Sequence, residues 1–242
     1  MVENLKIVFQ NNEKQLAILI DPGKYGVDRL VTLLQLMQQN PPHYILVGGS
    51  ITSASMDKTI ELIRQYVNVP VVLFPGNASQ FTPKADALMY LSLISGRNPD
   101  YLIGQHVLSS IPIKKSGLQV VPVGYMLVES GRMTSVEYIS NTKPIPSSKA
   151  DIAVYTAVAG ELLGMRAIYL EAGSGADSPV PADMITAVKK NISIPLIVGG
   201  GIRTVEAMKN AYASGADVVV IGNVLEEKPE LYSELFKALT LL

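Results

Sequence analysis

The feature that most constrains this chain is a recurrence. Eight short apolar runs, of strand length, each end at glycine or a small polar residue: Leu16–Ile20, Tyr44–Val47, Val71–Phe74, Ala87–Leu93, Val120–Val128, Ala167–Leu170, Leu196–Val198 and Val218–Ile221. They are apolar throughout and do not alternate, as strands buried on both faces of a parallel sheet require. Helical patterns lie between them. Val27–Gln39 places Leu30, Leu33, Leu34 and Met37 on one stripe. Met56–Tyr66, Ala150–Gly164, Pro181–Asn191, Thr204–Ser214 and Pro229–Leu242 read alike, and Asn98–Leu108 is a weaker helical pattern. Eight strands alternating with helices predict one α/β domain over residues 1–242, a (β/α)8 TIM barrel, a fold that typically needs about 250 residues.

The repeat breaks once. Between Phe74 and Ala87 stand twelve residues that include Pro75, Gly76 and Pro83. That is too short and too interrupted for a helix. The third barrel helix is expected to be missing or replaced by an extended segment, leaving either a groove in the outer ring or an ordinary short loop. A second irregular stretch, Glu129–Lys149, follows the fifth strand and carries Gly131, Pro144 and Pro146. Its length and position suit a lid.

Composition removes several classes. With 20 basic and 21 acidic residues the net charge is −1, so no nucleic-acid footprint is expected. Mean hydropathy is high at +0.27, yet no run approaches the roughly 18 apolar residues of a membrane span. Met1 to Gln10 lacks the basic-then-apolar order of a secretion signal, and a cytoplasmic protein without stable membrane insertion is expected. The absence of cysteine removes disulfides, thiolate metal sites and thiol nucleophiles.

Three glycine turns fall at the ends of consecutive strands: Gly173-Ser174-Gly175, Gly199-Gly200-Gly201 and Gly222-Asn223. Glycine lets backbone N–H groups approach an anion, and helix N-termini add partial positive charge. Phosphate sites after strands seven and eight recur in this fold. The turns therefore read as a phosphate cup, against the plainer reading of tight packing turns. Acidic residues stand beside them. Asp21 ends strand one in Ile20-Asp21-Pro22-Gly23-Lys24, where it suits Mg²⁺ or simply caps a turn. Lys24 is placed to contact the same phosphates. Ser50 could join Asp21 at the metal or cap a helix. Glu171 ends strand six beside the cup and suits a general base, or a structural acceptor. His43, on the stability face, and His106, near the weak helix, are not expected to be catalytic.

At this point the sequence resembles the geranylgeranylglyceryl phosphate synthase family, with its bacterial heptaprenylglyceryl phosphate synthase relatives. The matching pieces are Ile20-Asp21-Pro22-Gly23-Lys24, Val47-Gly48-Gly49-Ser50, Tyr169 to Ala176, Gly199-Gly200-Gly201-Ile202 and Gly222-Asn223. They stand in family order across nearly the whole chain, and Tyr169–Gly175 is the most specific. The resemblance implies a Mg²⁺-dependent prenyltransferase that joins sn-glycerol 1-phosphate to a long-chain prenyl diphosphate, giving an ether-lipid precursor and diphosphate. Asp21 and Ser50 match the family's metal positions. Tyr169, Leu170, Glu171, Ala172, Gly173, Ser174, Gly175, Gly200, Gly201, Gly222 and Asn223 match its glycerol phosphate positions. The heptaprenyl branch has lysine two residues before the metal aspartate, whereas this chain has Leu19. Geranylgeranyl diphosphate is therefore the expected donor.

The prenyl tail needs an apolar trench, expected toward the missing helix near Pro75–Tyr90 and Tyr101, with Tyr125 at its start. Apolar helix faces such as Val107–Ile113 suggest a homo-oligomer, and a lipid product suggests transient membrane contact. Two other readings fit the glycine turns: a phosphosugar isomerase on the same barrel, and a non-catalytic phosphate-binding barrel.

Overall fold

A computed structural model describes Phe9 and residues 13–242. The secretion-signal reading of Met1 to Gln10 otherwise lies outside the described residues. Eight strands close into a barrel in sequence order, every neighbouring pair parallel. They are β1 (Gln15–Ile20), β2 (Tyr44–Val47), β3 (Val71–Leu73), β4 (Ala87–Leu93), β5 (Gln119–Leu127), β6 (Ala167–Glu171), β7 (Leu196–Gly199) and β8 (Val218–Ile221). Closure is made by β1 against β8, with Leu16 opposite Val219.

Strand side chains alternate between two apolar layers. Ala17, Leu46, Val72, Met89, Tyr169, Ile197 and Val220 fill the barrel interior. Leu16, Ile18, Ile45, Val71, Leu170, Val198 and Val219 face the helices. Burial on both faces explains why the strands read as unbroken apolar runs.

The helices are α1 (Val27–Gln39), α2 (Met56–Tyr66), α3 (Gln105–Ser116), α4 (Ser135–Ser140), α5 (Ala150–Leu162), α6 (Ala182–Lys189), α7 (Val205–Ala213), α8 (Asn223–Glu227) and α9 (Leu231–Leu239). The stripe Leu30, Leu33, Leu34 and Met37 of α1 is buried. Ser55 and Thr204 cap α2 and α7 by accepting the N–H of Lys58 and of Ala207.

No helix spans the third connection, where residues 74–86 hold only a 3₁₀ turn, Ala78–Gln80. The pattern Asn98–Leu108 is more than it promised. A π-helical turn, Asp100–Gly104, leads into α3, which continues through Pro112 and stops at Gly117 in the left-handed region. The long connection after β5 is not wholly irregular. It contains α4, and Ile145 bridges back to Val128. The short α8, directly after Gly222, was not foreseen.

Candidate active site

Strand alternation places Asp21 and Glu171 at the C-terminal mouth on the barrel side. In β1 the inward residues are Ala17 and Leu19, so Asp21 follows in register; in β6 they are Ala167 and Tyr169, so Glu171 follows. The mouth is an open cleft lined from β1, β2, β5, β6, β7 and β8 and from α4.

Glu171 is buried, and its Oε1 accepts the Gly173 N–H at 2.6 Å. Burial is the main influence on its acidity. Against the opposing pull of the Gly173 N–H and the nearby Tyr169 hydroxyl, it lifts the pKa to about 7. Gly200, at φ +78°, makes this possible, because a Cβ there would overlap the Glu171 carboxylate. Tyr169 fills the interior beneath, its ring centroid 5.3 Å from Tyr125 and 5.5 Å from Phe74. Burial, reinforced by the Glu171 charge, holds both phenols well above the usual tyrosine range.

Asp21 lies on the opposite side. Its Oδ1 accepts the Gly23 N–H at 3.0 Å, and its Oδ2 is 3.8 Å from the Lys24 ammonium. Burial raises its pKa, with Gly23 and Lys24 opposing. The carboxylate rests against Gly49, where a Cβ would collide with it, and so stands beside the Ser50 segment. Gln80, from the 3₁₀ turn, pins that segment. It donates to the Gly49 carbonyl at 2.6 Å and accepts the N–H of Gly49 and of Gly76. Lys24 Nζ donates to Ser174 Oγ at 2.8 Å, and Ser174 Oγ donates to Asn223 Oδ1 at 3.1 Å. This chain ties the loops after β1, β6 and β8 across the mouth.

Asp21, Lys24, Ser50, Tyr169, Glu171, Ser174, Gly175, Gly200, Gly201, Gly222 and Asn223 thus line one cleft. Leu170 and Ala172 do not. Both pack in the outer layer against the helices, because the strand period turns every second side chain away. Gly173 presents its N–H to Glu171, so that amide is already engaged. Three lining or supporting residues had escaped notice: Arg203, Glu226 and Gln80. The first two follow glycine turns within a few positions, and a charge so close to a phosphate turn is a usable signal. Nothing in the sequence singles out Gln80.

The donors fit a hard divalent ion. Asp21 and Ser50 offer oxygen only, and among the described residues no group of three or more acidic, histidine or cysteine side chains could hold a metal by itself. Mg²⁺ is commonly held this way, by one or two carboxylates with ligand phosphates completing its shell.

A second, apolar cleft opens where the third helix would stand. Phe81, Leu88, Tyr90, Tyr101 and Ile113 are among its lining residues, and it shares Gly49, Ser50, Phe74, Tyr125, Val136 and Ile139 with the mouth. His106 is a wall residue. It is buried edge-on to Tyr90 at 4.3 Å, and burial lowers its pKa, so it is neutral at pH 7. His43 accepts the Leu16 N–H at the far end of the barrel.

Comparison with known proteins accords with this geometry. Residues 9–239 match the model of the PcrB family. The geranylgeranylglyceryl phosphate synthase of Spirosoma linguale is 49% identical over 93% of this chain and 91% of its own length. That of Methanosphaera stadtmanae is 43% identical over 90% of this chain and 89% of its own length. The crystal structure of (S)-3-O-geranylgeranylglyceryl phosphate synthase from Thermoplasma acidophilum, in complex with its substrate sn-glycerol-1-phosphate, superposes with a TM-score of 0.89 at 31% identity, covering 96% of this chain and 95% of that one. The chain therefore belongs to the PcrB family, as an enzyme of the geranylgeranylglyceryl phosphate synthase type.

Proposed function

We propose that this protein is a Mg²⁺-dependent prenyltransferase that alkylates sn-glycerol 1-phosphate with geranylgeranyl diphosphate. The observation that carries the reading is the union of two unlike clefts. A polar mouth with glycine turns and a buried carboxylate shares six lining residues with an apolar trench. An acceptor with a phosphate and a donor with a long hydrocarbon tail call for that pair. Leu19 and the glycine-rich Glu171–Gly175 string support the geranylgeranyl donor.

The phosphate of the acceptor sits among the turns at Gly175, Gly200–Gly201 and Gly222–Asn223, with a terminal hydroxyl beside Glu171. Lys24 lies on the diphosphate side of the mouth. The allylic C–O bond breaks and diphosphate departs with its electron pair. The glycerol hydroxyl oxygen bonds to the allylic carbon, and its proton passes to Glu171, which a pKa of about 7 suits for that task. Asp21 and Ser50 would hold Mg²⁺, which supplies neutralising charge for the leaving diphosphate. Fixing both reactants in one mouth adds the proximity effect.

The test is incubation of the purified chain with sn-glycerol 1-phosphate, radiolabelled geranylgeranyl diphosphate and Mg²⁺. A solvent-extractable phosphorylated ether is expected, abolished by EDTA and restored by Mg²⁺. No such product from the native chain would sink the proposal.

A further inference from the structure

The charges lining the mouth leave one cation unaccounted for. Three carboxylates line it, Asp21, Glu171 and Glu226, together with two basic side chains, Lys24 and Arg203. Lys24 is engaged by Asp21 and Ser174. Arg203 has a different environment. Its Nη2 donates to the Ala176 carbonyl at 2.7 Å, and among the described residues it makes no ion pair. Arg29 and Arg97 likewise donate only to carbonyls, so what sets Arg203 apart is its place on the wall of the mouth. A guanidinium carries five N–H donors in a rigid fork. One is tied to a carbonyl, and Arg203 is an exposed residue lining the cleft that holds the glycine turns.

Its position is also defined by the chain. Arg203 follows the Gly199–Gly201 turn by two residues, and Ala176 adjoins Gly175 in the neighbouring turn. The bond to Ala176 therefore spans the two glycine turns that would receive a phosphate.

We propose that Arg203 is a specificity-determining residue of the acceptor subsite. It binds the phosphate group by charge-assisted hydrogen bonds, and so selects a phosphorylated acceptor over a neutral polyol. The proposal rests on the glycerol phosphate reading above. Backbone amides contribute partial charges only, and a full positive charge discriminates a dianion from a neutral hydroxyl far better. Anchoring at Ala176 orients the fork before the ligand arrives, which lowers the ordering cost of binding.

Arg203→Gln and Arg203→Lys test it through steady-state kinetics for each substrate, with calorimetric titration of sn-glycerol 1-phosphate and inorganic phosphate. Arg203→Gln is expected to raise the acceptor KM and both dissociation constants by about 10- to 100-fold. The donor KM and kcat should stay within about threefold, and lysine should recover part of the loss. In the native chain, acceptor affinity should also rise with pH through the second phosphate ionisation near ~6, and that slope should shrink in Arg203→Gln. Unchanged acceptor affinity in the glutamine variant overturns the proposal. So does equal damage to both substrates and kcat with no rescue by lysine, which marks a loop anchor only. A native chain that forms no ether product, while Arg203→Gln still weakens inorganic phosphate binding, would remove the proposed reaction and leave the phosphate role standing.

Discussion

Glu171 shows how one side chain sets chemistry against stability. Its carboxyl is buried, and its pKa rises from the usual 4.5 to about 7. Below about pH 4.5 the group is protonated in both folded and unfolded chains and contributes nothing. Between 4.5 and 7 the unfolded chain loses its proton first, so the folded state is progressively disfavoured as pH rises. Above 7 the penalty is constant, with an order-of-magnitude ceiling of about 3 kcal/mol. Glu171→Gln keeps an acceptor for the Gly173 N–H and removes the charge. Thermal melts should therefore show the variant close to native at pH 4.5 and more stable at pH 8, while its prenyl transfer falls by at least about 100-fold. In the native enzyme kcat should rise with pH and level off above about 7. A flat profile, or a variant that gains no stability at pH 8, would remove Glu171 from the role of base. At this scale the sequence reads unevenly. Asp21, Lys24 and Glu171 are legible because each ends a strand or adjoins a turn. Leu170 and Ala172 sit in the same specific string yet face away, since a motif does not reveal the strand's phase. Gln80 is illegible, because its two bonds to Gly49 join segments 31 residues apart, and only the bond to Gly76 is local.

The element that matters most is the one that is absent. Pro75, Gly76 and Pro83 forbid a helix between β3 and β4, and the gap becomes the trench. The missing helix was readable from the loop's length and its breakers, but those features left a groove and an ordinary short loop equally open. The opposite wall was not readable in this way. α3 has no amphipathic stripe, with Ile103, Val107, Leu108 and Ile111 exposed near its start and along its length. It also contains Pro112, so periodicity and propensity both understate it. Tertiary contacts hold it nonetheless: Tyr90 donates to the His106 carbonyl at 2.9 Å, and the Ala78 N–H donates to Gln105 at 3.0 Å. Ser109 is a buried, small lining residue on this wall. If the proposed donor occupies this trench, Ser109→Phe should obstruct it and shift preference from geranylgeranyl toward the shorter farnesyl diphosphate, with little change in the acceptor KM. Competition assays with the two donors measure this directly. An unmoved preference would place the prenyl tail elsewhere.

Over the whole molecule, the barrel separates reactivity from stability by its two ends. The C-terminal mouth gathers buried acids, glycines with positive φ and an open cleft, all of which cost stability. The other end is closed by a dense polar clamp. Asp217, buried at the start of β8, accepts the Leu196 N–H at 2.7 Å and the Lys189 ammonium at 2.6 Å. Its own carbonyl receives the Gln15 N–H at 2.9 Å, and Tyr212 donates to the Gln15 carbonyl at 2.7 Å. The clamp thus joins β1, β7, β8 and two helices where the barrel closes. The high apolar content first raises the question of a membrane. The two nested apolar layers hold most of it, and no described helix is long and apolar enough to cross a bilayer. Sequence reasoning finds those layers because they repeat eight times. It does not find the clamp, whose members are ordinary surface-type residues until the ring closes. If the two ends are energetically independent, damage at the clamp should leave chemistry intact. Asp217→Ala strands the Lys189 charge and the Leu196 N–H, and should cost about 3 kcal/mol. For a chain of this size that is a fall of roughly 6–12 °C in melting temperature. At temperatures well below that transition, kcat and both KM values should match the native enzyme, since sites this far apart without shared partners behave additively. A variant that melts early and also loses acceptor affinity would show that the mouth depends on the clamp for its shape, and the separation of the two ends would fail.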